Sequence, residues 1–142
     1  MYDDILLPTD GGDSTGAVVD HAAAIAADRD ATVHVLYVVD ERSFLTLADD
    51  LRDQVRAEFE AEGDAAVDAA SGSLAARGVA TTTAVREGDP AEEILAYADE
   101  HGVDLVTMGT HGANYRQNMV GSVSAQVVAE SSVPVLTVRI DG

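Results

Sequence analysis

Two glycine-bearing segments hold the residues whose types and spacing could do chemistry. One is Pro8-Thr9-Asp10-Gly11-Gly12. The other is Met108-Gly109-Thr110-His111-Gly112, then eight residues, then Gly121-Ser122-Val123-Ser124. Gly109 and Gly112 carry no side chain, so a ligand can come close to the backbone there. Gly121 and Ser122 open an expected helix, whose unpaired N–H groups and positive dipole end attract phosphate. The hydroxyls of Ser122 and Ser124 add hydrogen bonds. A tight turn followed by a helix cap fits the same spacing equally well. Asp10 ends an apolar run. Its carboxylate could accept from a ribose hydroxyl or an adenine amino group, and it also fits an Asx-turn.

Other chemistry is scarce. The chain has no cysteine, which excludes disulfides, thiolate metal sites and cysteine nucleophiles. All eight basic residues are arginine, so lysine-bearing phosphate loops and Schiff-base chemistry are excluded as well. The histidines are His21, His34, His101 and His111, and none has metal-ligand spacing on one helix. His21 and His34 read as core-edge residues, His101 as a helix C-terminal residue and His111 as part of the glycine loop. The Gly-x-Ser-x-Gly elbow is absent. Glu87-Gly88-Asp89 reads as turn and cap, and Asp40-Glu41 as a solvated start to the next helix.

The elements that must position these residues follow from apolar patterning. Asp4 to Thr9 reads as a buried strand, then a helix from Ser14 to about Ala27, then a strand over Thr32–Val39. Glu41 to about Ala76 reads as a long surface helix, with breaks expected near Gly63 or Ser71-Gly72. Val79–Arg86 is a third strand. Asp89 caps a helix with Pro90 first and Glu92 placed for a capping box, and Gly102 stops it. Asp104–Met108 is a fourth strand, Gly109–Gly121 a loop, Ser122–Ser131 a short helix and Val133–Ile140 the last strand. Strand and helix alternate throughout. The fold class is therefore α/β: a single open five-stranded parallel sheet with helices on both faces, Rossmann-like, over residues 1–142 as one domain. Ligands of such sheets sit beyond the carboxyl ends of the strands, where the winding reverses.

Composition bounds the setting. Of 142 residues, 46% are hydrophobic, enough to bury a core. No apolar run approaches the roughly 18 residues that span a bilayer, and the acidic Met1-Tyr2-Asp3-Asp4 is unlike a secretory signal. The expectation is a cytoplasmic chain starting near Met1 with no membrane contact. A net charge of −18 argues against nucleic acid as a partner, because phosphate neutralisation needs clustered cations. Molar salt shortens the screening length to about 3 Å and relieves such self-repulsion. The acidic excess, abundant alanine and missing lysine resemble halophilic proteins.

Four segments together resemble the universal stress protein family over essentially the whole chain. They are Ile5-Leu6-Leu7-Pro8-Thr9-Asp10-Gly11, Leu36-Tyr37-Val38-Val39-Asp40, Gly88-Asp89-Pro90-Ala91-Glu92-Glu93-Ile94, and Met108-Gly109-Thr110-His111-Gly112 through Gly121-Ser122 to Val133-Pro134-Val135-Leu136-Thr137-Val138-Arg139. The resemblance implies an adenine nucleotide alpha hydrolase-like sheet and a homodimer through the last strand, Val135 to Ile140. It also implies ATP, or another adenine nucleotide, as ligand. Pro8, Thr9, Asp10 and Val38 would surround the nucleoside, with Met108 and Gly109 lining the same pocket. Gly112, Gly121, Ser122, Val123 and Ser124 would hold the phosphates, with Mg2+ or Mn2+ bound mainly by those phosphates and water.

The loop departs from the family motif Gly-x2-Gly-x9-Gly-Ser/Thr: eight residues, Ala113 to Val120, stand where nine are expected. One residue is worth up to about 3.5 Å of reach, against a donor placement of about 2.9 Å. Arg116 is the loop's only cation and could pair with phosphate. Three functions compete: an ATP-binding stress-response or signalling module, with slow hydrolysis or autophosphorylation by resemblance; an ATP-independent dimeric interaction protein; and an ATP pyrophosphatase-type enzyme. The last rests on Asp10-Gly11-Gly12-Asp13-Ser14, which lacks that class's leading serine. No catalytic residue and no metal ligand is assigned.

Overall fold

The computed structural model describes residues 2–11, 15–111 and 120–140. The elements run β1 (Asp4–Thr9), α1 (Thr15–Arg29), β2 (Thr32–Asp40), a single 3-10 turn (Glu41–Ser43), α2 (Asp49–Ala75), β3 (Ala80–Gly88), α3 (Pro90–His101), β4 (Leu105–His111), α4 (Val120–Glu130) and β5 (Val135–Ile140). The five strands form one parallel sheet in the order β3-β2-β1-β4-β5.

The pleat explains why the strands are apolar on both sides. Ile5, Leu7, Val33 and Val35 face a core closed by Val18, Val19 and Ala22 of α1 and by Val67, Ala70 and Leu74 of α2. Leu6, Leu36, Val106 and Met108 face the opposite core, closed by Ala91, Ile94 and Tyr97 of α3 and Val127 of α4. Helices α1 and α2 thus cover one face, α3 and α4 the other.

The α3 termini follow from local chemistry. The Asp89 carboxylate accepts from the Glu92 N–H at 3.1 Å, and Pro90 occupies the first turn, where no donor is needed. Gly102 ends the helix at φ 61, a conformation that L side chains disfavour.

Four expectations are corrected. Residues 41–48 are not part of the long helix, because Asp40 caps the separate 3-10 turn by accepting from the Arg42 N–H at 3.0 Å. Helix α2 then runs unbroken through Gly63 and Ser71-Gly72. Gly63 is buried against Tyr37, and the Ser71 hydroxyl bonds that of Thr81 on β3 at 2.7 Å, so tertiary contacts override weak local propensity. Gly109, Thr110 and His111 are strand rather than loop, since β5 continues alongside them in the pairs Gly109↔Val138, Thr110↔Arg139 and His111↔Ile140. Helix α4 begins at Val120, so Gly121 and Ser122 lie inside its first turn instead of opening it. The expected cap at Ser14 lies outside the described residues.

A candidate nucleotide site at the sheet's reversal

Strand order places the reversal between β1 and β4. Their ladder covers only Ile5↔Leu105 and Leu6↔Val106, while β1 stays paired with β2 as far as Thr9↔Tyr37 and β4 with β5 as far as His111↔Ile140. Both central strands therefore bind outward partners at their carboxyl ends and release each other. That opens the crevice where sheets of this kind take ligands.

The residues at this crevice come from several elements. Val38 and Val123 pack against the same buried cluster as Met108, on the α3–α4 face. Pro8, two positions after Leu6, belongs to that face by alternation and pairs with Leu36 in register. These four apolar residues share the α3–α4 side of the sheet, a chemistry suited to a flat heterocycle. Gly109 is buried on β4, and the Ser124 side chain is buried near the start of α4. Gly121 and Ser122 stand in the first turn of α4, where backbone N–H groups have no partner within the helix. Gly112 and Arg116 lie outside the described residues.

Thr9 faces the other way. It is buried on the α1–α2 side, and its Oγ1 accepts from the Gly11 N–H at 3.1 Å. This short turn, with Gly11 at φ 80, lifts Asp10 off the end of β1. Thr9 thus shapes the turn, while Asp10 stands at the crevice mouth. The phenol of Tyr37, directly beside Thr9 in register, is pushed above its usual pKa by burial, then by the negative charges of Glu62 and Asp10.

Tyr37 was not among the sequence candidates. A glycine in mid-helix could have drawn attention to it: a Cβ on Gly63 would stand 2.6 Å from Tyr37 Cδ1. Two arginines near the ends of β2 and β3 are held by carboxylates. Arg42 is held on Asp40 at 2.8 Å, which raises its pKa, and Arg56 Nε meets Glu87 at 2.9 Å, with the Arg56 guanidinium 5.1 Å from the Phe44 ring. Among the described residues, no group of three or more His, Asp or Glu gathers that could hold a metal ion. A divalent cation here would have to be carried mainly by phosphate oxygens and water.

A doubly wound parallel sheet opening at its central reversal, with a glycine-bearing helix start beside it, defines the α/β class that takes ligands at the strand ends. The universal stress protein family model matches residues 1–139, and the chain belongs to that family. It is 34% identical over 141 residues to the universal stress protein MJ0531 of Methanocaldococcus jannaschii, covering 98% of this chain and 83% of that one. It is 32% identical over 148 residues to the universal stress protein YxiE of Bacillus subtilis, covering 98% and 100%. Among solved structures, M. jannaschii MJ0577 superposes with a TM-score of 0.87 at 29% identity, covering 98% of this chain and 96% of that chain. A universal stress protein in complex with cAMP superposes with a TM-score of 0.75 at 27% identity, covering 96% and 97%.

Proposed function

We propose that the protein is an adenine-nucleotide-binding module, with ATP as its ligand, working as a homodimer in the stress response or in signalling. The observation that carries this is the parting of β1 and β4 beyond Leu6 and Val106, beside the first turn of α4. The nucleoside lies on Pro8, Val38 and Met108, with Thr9 and Gly109 flanking and Asp10 accepting from ribose or base. The phosphates lie on Gly112, Gly121, Ser122, Val123 and Ser124, with Arg116 as a pairing cation. Backbone N–H groups at the helix start carry the phosphate binding, and Mg2+ or Mn2+ neutralises what charge remains. The relative in complex with cAMP supports an adenine nucleotide as the ligand class. The module's role in this reading is to bind nucleotide, with slow hydrolysis or autophosphorylation as an activity that the same site would support.

Residues 1–142 act as one unit in this reading. The dimer forms through β5, which has a neighbour strand on one side only. Its place in this reading is the cytoplasm; among the described residues no helix is long and apolar enough to cross a membrane, and the charge of −18 fits a halophilic setting. A second reading, an interaction protein indifferent to ATP, is favoured by the eight-residue loop. Calorimetric titration of ATP with magnesium, in molar potassium chloride, separates the two. Saturable binding of one nucleotide per chain, abolished by Gly121→Val, supports the module. Folded protein that takes up no ATP sinks it and leaves the interaction protein.

A further inference from the structure

Beneath the Asp10 turn lies an aromatic ring gripped on two edges. On β2, Tyr37 is 8% exposed and pairs with Thr9 in register. One edge of its ring, Cδ1 and Cε1, lies so close to Gly63 that a Cβ there would stand 2.6 and 3.1 Å from those atoms. The opposite edge, Cε2, lies 3.7 Å from the Cβ position of Gly11, and Ala66 lies 3.4 Å from the same point. Helix α2 therefore presses the ring with bare backbone, and the far edge of the ring faces the turn that carries Asp10.

We propose that Tyr37 is a positioning residue of the nucleotide site: its ring, fixed by Gly63, is the floor that sets where Asp10 meets the nucleoside. The proposal rests on the adenine-nucleotide reading above and adds to it a residue that need not touch the ligand. Two features support it. Tyr37 pairs in register with Thr9, the residue before Asp10, and the Asp10 charge adds, after burial and Glu62, to the raising of the Tyr37 phenol pKa. Gly63 lies mid-helix, where glycine is less favourable than alanine, and the ring, with Val85, occupies the space a side chain would take. Without the ring, the Gly11 side of the turn loses a neighbour, and the placement of Asp10 changes with it.

The test compares two ligands. Magnesium ATP and magnesium tripolyphosphate, which has the phosphates and no nucleoside, each displace a fluorescent ATP analogue from wild type, Tyr37→Leu and Gly63→Ala. A floor acting through Asp10 predicts that Tyr37→Leu weakens ATP by about tenfold or more, with tripolyphosphate unchanged within about twofold. Tyr37→Phe, which restores the ring, rescues ATP affinity. Should Tyr37→Leu fail to fold, Gly63→Ala keeps every atom of Tyr37 and displaces its ring, with Val85 as the other side chain the methyl meets, and the same contrast is expected. Equal weakening of both ligands would mean a merely structural role and overturns the proposal, as does unchanged ATP affinity. A folded wild type from which ATP displaces nothing brings down the nucleotide reading itself, and this inference with it.

Discussion

His34 Nδ1 lies 2.8 Å from the Tyr97 hydroxyl, while His34 Nε2 lies 2.9 Å from a carboxylate oxygen of Asp4. A carboxylate oxygen accepts, so Nε2 donates to Asp4, and in the neutral ring Nδ1 then accepts from the tyrosine hydroxyl. The chain ties β1, β2 and α3 together at the end of the sheet opposite the crevice. Tyr97 is further held by stacking on His101, centroids 3.9 Å apart, and by the Arg86 guanidinium 4.9 Å from its ring. Tyr97→Phe leaves the ring and removes the donor to a buried nitrogen. The expected loss is about 1–3 kcal/mol in urea unfolding, and an unchanged midpoint would show that the bond contributes nothing net.

Two glycines of α2 predict opposite outcomes. At Gly72 an added Cβ meets nothing within 4 Å, so Gly72→Ala gains helix propensity alone. It should stabilise by about 0.5–1 kcal/mol. At Gly63 the same methyl meets Tyr37 and the Val85 Cγ1 at 3.1 Å. Overpacking of that kind costs about 1–3 kcal/mol, so Gly63→Ala should destabilise despite the same propensity gain. Thermal unfolding of the pair decides it.

At high pH the buried phenols set the sign. Burial raises the Tyr37 pKa, with Glu62 and Asp10 adding to it, and burial raises that of Tyr97 against the opposing pull of Arg86. A raised folded value means the native state holds its proton longer than the unfolded chain. The associated stability is complete below the unfolded value of about 10 and is lost as pH climbs through the folded values. Stability should fall above pH about 10, and Tyr37→Phe should flatten that fall. Phenolate absorbance of the native protein should lag behind that of the denatured chain.

At low pH the sign reverses. The hydrogen bond from Arg86, at 2.9 Å, lowers the Glu100 pKa, so its contribution is present above the usual glutamate value and fades as pH falls through the folded one. Glu100 is exposed, and Glu100→Gln should move the acid unfolding midpoint only slightly, and less still in high salt.

Salt should stabilise the protein. Arg42, Arg52, Arg56, Arg77 and Arg86 each pair with carboxylates, and most of these pairs are solvent-accessible. Screening weakens such pairs, each worth about 0–1 kcal/mol. It also weakens repulsion among 26 acidic residues opposed by 8 basic ones, and that excess decides the direction. The melting midpoint should rise from 0.1 M to molar potassium chloride, to about the same extent in sodium chloride if screening is the cause. A flat or falling midpoint would remove the case for a halophilic setting.

The layered fold was legible because its signals are local: apolar runs such as Ile5–Leu7 and Leu105–Met108, and the Asp89-Pro90 start and Gly102 stop of α3. Where local and distant forces disagreed, the sequence misled. Gly63 reads as a helix breaker until the Tyr37 ring beside it is seen, and Gly109–His111 read as loop until β5 supplies hydrogen-bond partners. The crevice was foreseeable from alternation and chain reversal. The Tyr37 floor was not, because it joins residues on β1, β2 and α2 that no sequence spacing connects. His34 reads as core-edge, and only the folded chain brings Asp4 and Tyr97 to its two nitrogens.

The strand order also dictates when the sheet can be finished. Strand β1 stands at its centre, yet one of its edges is met by β4, with Ile5 opposite Leu105. As the chain leaves the ribosome, β1, β2 and β3 can pair among themselves, while the inner edge of β1 stays bare until residues near Leu105 appear. The Asp104 carboxylate that then accepts from the Asp3 N–H at 2.8 Å is a late-closing latch on the first strand made. Contacts so distant in sequence close slowly, and an unpaired apolar strand is prone to aggregate while it waits. A nascent chain stalled before Leu105 is therefore the form of this protein most in need of a chaperone.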